Sequence, residues 1–190
     1  NAKRGVARPL GDYALASDGR LAMIRFQPQA EAPATSIYDR HVSGRVLGRS
    51  ELVSATNVEI AIRWDCSCDF DLAVKPQGGE TISFRSPTTA EGQLYKDYTS
   101  SAGLNNGWDT IALPGPIDLN QTVIAANLFS GQGGEGELLI AIGSETWAAA
   151  FAVAGPGNAG AGLEEVMRTG QTASSAWTVF AADAVTGAGQ

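Results

Sequence analysis

The alternation of apolar and polar residues is clearest between residues 57 and 64. One face of an extended strand would carry four apolar side chains: Val58, Ile60, Ile62 and Trp64. Because successive side chains of a strand point to opposite faces, this period of two predicts a half-buried β-strand. After residues 65–69 the alternation resumes with Phe70, Leu72 and Val74, which predicts a second strand.

Shorter runs of the same kind follow along the chain, separated by Gly, Pro, Asn and Asp. Further strands are expected at residues 37–47, 81–85, 94–97, 109–113, 121–129, 137–142, 146–153 and 176–185, with a hairpin at 13–26. The run 121–129 is apolar on both faces, which predicts a central strand. Residues 137–153 are expected to form a hairpin around Gly143, and helical character is confined to residues 163–168.

Many short strands with closely spaced turns predict a mostly β fold, an antiparallel and jelly-roll-like sandwich, with at most one short helix near the C-terminus. The 190 residues fit a single domain, and no repeat or linker divides them. We expect residues 1–50 to form an N-terminal extension that contains the hairpin, and residues 57–190 to form the core of the domain.

The charge of the chain limits its partners. The formal net charge is -7 and only 17% of the residues are charged. A negative surface repels phosphate backbones, so no nucleic-acid partner is expected. No apolar run is long enough to span a bilayer, so no transmembrane segment is expected either.

A candidate metal site lies on the second strand. Asp69 and Asp71 stand two residues apart, so both carboxylates would leave the same face. Like charges at that spacing repel unless a cation or donor lies between them. Calcium collects several oxygen ligands, and the polar loop that follows offers Asp97 and Asp109, with Asn105 and Asn106 between them. The alternative is a solvent-facing acidic edge, which the frequency of Asp-x-Asp in proteins favours on sequence alone.

The cysteines and the histidine suggest no catalytic site. A disulfide between Cys66 and Cys68 would close a very small ring, and zinc would need a carboxylate besides two thiols and His41. Reduced, partly buried thiols are therefore expected. His41 follows Asp39, but the chain has no Gly-x-Ser-x-Gly elbow. A hydrolase with dispersed carboxylates stays open as an alternative.

Two further motifs have structural explanations. The glycine-rich segment 131–136 contains Glu135 and lacks the Lys-Ser/Thr pair of a phosphate loop, which favours a hairpin loop. Three tryptophans fit inward positions, namely Trp64, Trp147 and Trp177. Trp108 follows the polar loop and is the tryptophan expected to be most exposed. An exposed Trp108 would suit an alternative function, a carbohydrate- or protein-binding module without metal dependence.

Trp64-Asp65 followed by Asp69-Phe70-Asp71-Leu72 resembles the tellurium-resistance (TerD-type) stress-protein domain of bacteria. The resemblance covers residues 57–190 and includes segments 79–84, 95–111, 122–129 and 177–182. It implies a non-enzymatic, calcium-binding β-sandwich with a stress-response role, and it favours the cytoplasm over a periplasmic or secreted location.

Within this resemblance, Asp69 and Asp71 match the family motif best, and Asp97 and Asp109 match its acidic loop more loosely. The chain departs from the family in three ways. Residues 99–106 are mostly neutral, Ala73 stands where the family carries a further acid, and the two cysteines are extra. A related group of bacterial sandwich domains also carries Asp-x-Asp-Leu before a Pro-Gly turn.

Overall fold

The computed structural model describes residues 12–15, 21–24, 52–98, 107–143 and 145–180. Strands β1 (Asp12–Leu15) and β2 (Leu21–Ile24) pair antiparallel, as expected for the N-terminal hairpin. The turn between them and the strand expected at residues 37–47 lie outside the described residues.

In the described residues, eight further strands follow: β3 (Val58–Trp64), β4 (Asp69–Lys75), β5 (Gln93–Lys96), β6 (Gly107–Leu113), β7 (Val123–Ser130), β8 (Gly134–Ile142), β9 (Glu145–Val153) and β10 (Trp177–Phe180). They form a three-stranded sheet in the order β10-β7-β4 and a five-stranded sheet in the order β5-β6-β3-β8-β9. Every pairing is antiparallel. Strand β7 is central in its sheet, and β8 and β9 form the expected hairpin.

The two sheets enclose one hydrophobic core. It receives Ile60, Ile62 and Trp64 from β3 and Phe70, Leu72 and Val74 from β4, all fully buried. The period-two alternation that predicted both strands therefore marks the faces that meet. Removal of this apolar surface from water is the main force that holds the sheets together. The prediction of a mostly β, antiparallel sandwich is confirmed, and neither sheet closes on itself.

A short helix covers the outer face of the three-stranded sheet. Helix α1 (Leu163–Thr169) packs three side chains, Leu163, Val166 and Met167, against Ala73, Ala125 and Trp177. Its C-terminal cap is Gly170, which has a positive φ and donates its N–H to the Val166 carbonyl. The predicted helix near the C-terminus is thus present, and Leu52 and Val53 are also helical. None of the described helices is long and apolar enough to cross a membrane.

The prediction of a strand at residues 81–85 is wrong. Ile82 forms a single bridge to Val74, and the chain then turns back so that Ser83 and Ser86 exchange backbone hydrogen bonds. Ile82 is fully buried, whereas Phe84 is only half-buried and packs edge-on against Phe129. The tight turn satisfies the backbone locally, so in the described residues this segment forms only the bridge at Val74 on the edge of β4 opposite β7.

Close packing around Gly107 predicts that Gly107 and Gly115 respond unequally to replacement by alanine. A Cβ at Gly107 would overlap the Trp64 ring and lie 2.5 Å from Cδ1 of Tyr98, whereas a Cβ at Gly115 would meet nothing within 4 Å. We expect Gly107→Ala to lower the free energy of unfolding by about 1–3 kcal/mol. Gly115→Ala should change it by less than about 0.5 kcal/mol. Urea unfolding of both variants tests this, and equal effects would contradict the described packing.

Candidate metal centre

Asp109 joins the two sheets at the open edge of β4. In strand β6, Asp109 shares the inward face with Ile111 and Leu113, and it is 1% exposed. Its Oδ2 accepts a hydrogen bond from the backbone N–H of Leu72 at 2.8 Å, and its Oδ1 accepts one from the N–H of Tyr98 at 3.0 Å. The carboxylate thereby holds the edge of β4 and the chain after β5 next to each other.

Two more carboxylates converge on Asp109. Asp71 lies on β4, and Asp97 directly follows the end of β5. One oxygen from each of Asp71, Asp97 and Asp109 can be chosen so that the three atoms lie within 4.8 Å of one another. Asp71 and Asp109 are buried, whereas Asp97 is exposed to solvent. These three residues, the carboxylate cluster, could hold a metal ion.

Asp71 is the least satisfied member of the carboxylate cluster. It is 7% exposed, and its Oδ2 is buried without a hydrogen-bond partner in the described part of the chain. The pKa of Asp71 is raised to about 8, chiefly by burial and also by the neighbouring charges of Asp69 and Asp97, against an opposing effect of Arg85. Burial of an unpaired carboxylate destabilises the folded state, so binding of a proton or a cation by this side chain would be favourable.

The pKa values of Asp97 and Asp109 are also raised. Burial raises the pKa of Asp109 well above its ordinary value, although the N–H groups of Tyr98 and Leu72 oppose the shift. Burial also raises the pKa of Asp97, with the charge of Lys96 acting against it. Two full charges 4.8 Å apart repel by about 3.5 kcal/mol at an effective dielectric constant of about 20. The cluster is therefore unfavourable when fully ionised and unoccupied by a cation.

Asp69 lies beside the carboxylate cluster and is not one of its three members. A register shift separates Asp69 from Phe70, so Asp69 pairs with Ser130 while Phe70 pairs with Leu128. Asp69 is nevertheless 7% exposed and close enough for its charge to raise the pKa of Asp71. Of the four predicted ligands, the structure thus groups Asp71, Asp97 and Asp109. Asn105 and Asn106 lie outside the described residues.

The alternative of a solvent-facing acidic edge is wrong for three of the four acids, because Asp69, Asp71 and Asp109 are buried. The connector after β9 is bonded to the strand that pairs with the strand of Asp71. Asn127 pairs with Asp71 across β7 and β4, and its side chain bonds Asn158 and Gly160 of that connector. The outer face of the sheet is therefore covered where sequence alone suggested open solvent.

Sequence reasoning did not identify Arg85 as part of the site. The turn at residues 83–86 brings it near Asp71, whose pKa its charge lowers, and its Nη2 donates to the Gly160 carbonyl at 3.2 Å. A lone arginine after a short apolar run carries no signal of this role. Only the turn, which the sequence did not predict, brings the residue there.

The cysteines are bonded, so the expectation of reduced thiols is wrong. Cys66 and Cys68 form a disulfide in the connection between β3 and β4. The glycine-rich segment 131–136 is also not a hairpin loop. It joins β7 of the three-stranded sheet to β8 of the five-stranded sheet, and β8 already begins at Gly134. Gly131 and Gly133 have φ values of 123° and 121°, which explains the glycines.

The tryptophans divide as expected, but Trp108 offers no bare platform. Trp64, Trp147 and Trp177 are buried in the core clusters. Trp108 lies within β6, half-buried, with its ring stacked on Tyr98 at a centroid distance of 5.6 Å. The ammonium of Lys96 lies 5.3 Å from the Trp108 ring centroid. Tyr98 and Lys96 cover parts of the Trp108 ring on which a sugar would stack. The geometry therefore does not favour the carbohydrate-binding alternative.

His41, the histidine considered for nucleophilic catalysis, lies outside the described residues. Comparison of the chain with protein-family models, with curated proteins and with solved structures finds no match. The similarity to the tellurium-resistance domain therefore stays a prediction from the sequence motif.

Proposed function

We propose that this protein is a non-enzymatic calcium-binding β-sandwich whose ion is held by Asp71, Asp97 and Asp109. The observation that carries the proposal is the buried Oδ2 of Asp71, which has no hydrogen-bond partner in the described residues and belongs to a cluster of three carboxylates. A cation would compensate the repulsion among the three acids and supply the missing partner. Asp69 would add negative charge next to the ion.

The donor set favours calcium among the common cations. All three side chains offer carboxylate oxygen, which suits hard cations better than zinc. Oxygens that bind calcium at about 2.3–2.6 Å can lie up to roughly 4.6–5.2 Å apart, whereas magnesium at about 2.0–2.1 Å spans at most about 4.2 Å. At the largest separation, 4.8 Å between each pair, the centre of the three oxygens lies about 2.8 Å from each of them, which is closer to the calcium–oxygen distance than to the magnesium–oxygen distance. The exposed Asp97 leaves a side where water can complete the shell.

The wider role in this proposal comes from the sequence motif. Asp69-Phe70-Asp71-Leu72 resembles the tellurium-resistance domain, which implies a stress-response function in bacteria. The buried position of Asp71 supports its use as a ligand, and the carboxylates act in this proposal as ligands and not as acid or base catalysts.

A thermal melt of chelator-stripped protein tests the calcium proposal. A ligand that binds only the folded state stabilises it by about 2.7 kcal/mol at a hundredfold excess over its dissociation constant. We expect calcium to raise the melting temperature of the parent more than magnesium or zinc does. Asp71→Asn keeps the shape of the side chain but removes its charge, so the calcium effect should be lost.

Glu164→Gln is the matched control, because Glu164 is an exposed acid in the first turn of helix α1, in an element outside the cluster. It should respond to calcium like the parent. If Asp71→Asn and the parent gain the same stability from calcium, or if neither gains any, the assignment of the ion to this cluster is wrong.

A further inference from the structure

The Cys66–Cys68 disulfide occupies the four-residue connection that carries the chain from one sheet to the other. Strand β3 of the five-stranded sheet ends at Trp64, and β4 of the three-stranded sheet begins at Asp69. Cys68 is 2% exposed, whereas Cys66 is only partly buried and Ser67 is exposed. One end of the disulfide is therefore near solvent, and the other lies in the core.

This disulfide is expected to add little to the free energy of unfolding of the whole domain. It bridges residues separated by two positions in the same turn, and the stabilisation that a cross-link gives through the unfolded chain decreases with the length of the loop it closes. It also joins no distant segments of the chain. Strands β3 and β4 on either side of it are each held by hydrogen bonds within their own sheet. Exposed disulfides are among those that exchange readily with thiols, and the Cys66 end of this one lies near solvent.

The residues packed around the two sulfurs leave space for a disulfide but less than two separate thiols need. A Cβ at Gly134 would lie 2.6 Å from the Cys66 Sγ and 3.0 Å from the Cys68 Sγ, so this part of β8 packs directly on the bonded pair. A Cβ at Gly131 would lie 2.8 Å from the Cys68 Cβ. Bonded sulfurs are about 2.05 Å apart, whereas non-bonded heavy atoms need roughly 3.5–4.0 Å. Two thiols need more room than the bonded pair, so reduction must turn the partly exposed Cys66 side chain away or move the connection or the glycine segment.

We propose that Cys66–Cys68 is a reversible thiol–disulfide exchange site and that its oxidised form holds the start of β4 in place. The exchange partners are thiols and dithiols. Trp64 couples the site to β4, because its Nε1 donates to the Cys68 carbonyl at 3.0 Å and its ring packs against Phe70. Reduction moves the connection and thereby loosens the segment that begins with Asp69.

The exchange balances with a dithiol as the two-electron reductant. Its thiolate attacks the Sγ of Cys66, the more accessible cysteine, and forms a mixed disulfide while the Cys68 sulfur leaves as a thiolate and takes a proton from water. The second thiol of the reagent loses its proton and attacks the reagent's own sulfur in the mixed disulfide. Cys66 is released and protonated, and the reagent leaves as a cyclic disulfide.

The test uses the full chain in metal-free buffer with reduced dithiothreitol, followed by alkylation and mass spectrometry. We expect no alkylated cysteine before reduction, two after it, and none again after reoxidation, while the far-ultraviolet circular dichroism stays that of the folded protein. Hydrogen exchange should become faster after reduction in peptides covering residues 65–72 and 131–136, but not in helix α1.

The variant Cys66→Ser/Cys68→Ser serves as the control, and dithiothreitol should not change its hydrogen exchange. Should this variant fail to fold, the reduced and reoxidised parent supplies the same comparison. Cysteines that are alkylated only after the protein unfolds would overturn the proposal. Equal hydrogen exchange at residues 65–72 in the oxidised and reduced parent would also overturn it. Because no metal is present, either result is separate from the outcome for calcium.

Discussion

The metal-free protein is expected to lose stability as the pH rises from about 4 to about 8. Asp71 is the main cause, because burial, Asp69 and Asp97 raise its pKa from 3.8 to about 8 in the folded state. Between these values the folded protein keeps a proton on Asp71 that the unfolded chain has released. Folding is then linked to proton uptake, so the free energy of unfolding falls with rising pH.

The sign follows from the direction of the shift. A carboxyl group whose pKa is raised by folding contributes fully below its unfolded pKa, and that contribution is lost as the pH passes through the folded value. Asp109 acts in the same direction, since burial raises its pKa as well. Each pKa unit corresponds to about 1.4 kcal/mol, so the loss linked to Asp71, whose pKa rises from 3.8 to about 8, is at most about 6 kcal/mol. Above the folded pKa the dependence should level off.

Calcium should reverse this dependence. Carboxylates must lose their protons to bind a metal ion, so calcium affinity rises with pH. We expect melting temperatures measured from pH 4 to pH 9 to fall in the metal-free series and to fall much less, or rise, with calcium. The gap between the two series should be small at pH 5 and largest at pH 8.

Asp71→Asn separates the carboxylate from other causes of pH dependence. This variant cannot ionise at position 71, so its metal-free melting temperature should depend less on pH, and the gap caused by calcium should disappear. A metal-free parent whose stability rises from pH 5 to pH 8 would contradict the described burial of the carboxylate cluster.

The alternation of apolar and polar residues along the sequence explains which parts of the fold could be predicted. The strands around Ile60, Leu72 and Ile140 follow from alternation, because a face that must be buried leaves a period of two in the sequence. The turn at residues 83–86 could not be predicted in the same way. Its apolar residues, Ile82 and Phe84, also alternate, but Phe84 is only half-buried against Phe129 and the backbone bonds itself locally.

The carboxylate cluster depends on long-range packing, which local pattern does not report. Asp71 and Asp97 were identified as candidate ligands by residue type, yet their burial and closeness arise because β4, β5 and β6 meet at one edge. Asn127, which pairs with Asp71, also accepts a hydrogen bond from a connector that begins more than eighty residues after Asp71 in the chain. The disulfide was not expected for a related reason, because the sequence gives the spacing of the cysteines but not the packing of Gly134 against them.

Asp109→Ala is expected to destabilise the protein by about 2–6 kcal/mol even without metal. The side chain accepts hydrogen bonds from the backbone N–H groups of Leu72 and Tyr98, and the first of these bonds is buried. Each amide left unpaired costs about 1–3 kcal/mol. Because Leu72 lies on the open edge of β4, no strand is available among the described residues to replace the lost acceptor.

Asp109→Asn distinguishes hydrogen bonding from charge. Asparagine keeps one acceptor oxygen, so one of the two amides retains its partner and the loss measured by urea unfolding should be about half that of Asp109→Ala. If charge repulsion dominated instead, removal of the carboxylate would relieve Asp71 and Asp97, and both variants would be as stable as the metal-free parent or more so. That outcome would mean that Asp109 is retained for the ion alone. The expected losses would mean that the same carboxylate both joins the sheets and supplies a ligand, so that calcium binding and the integrity of the β4 edge depend on one side chain.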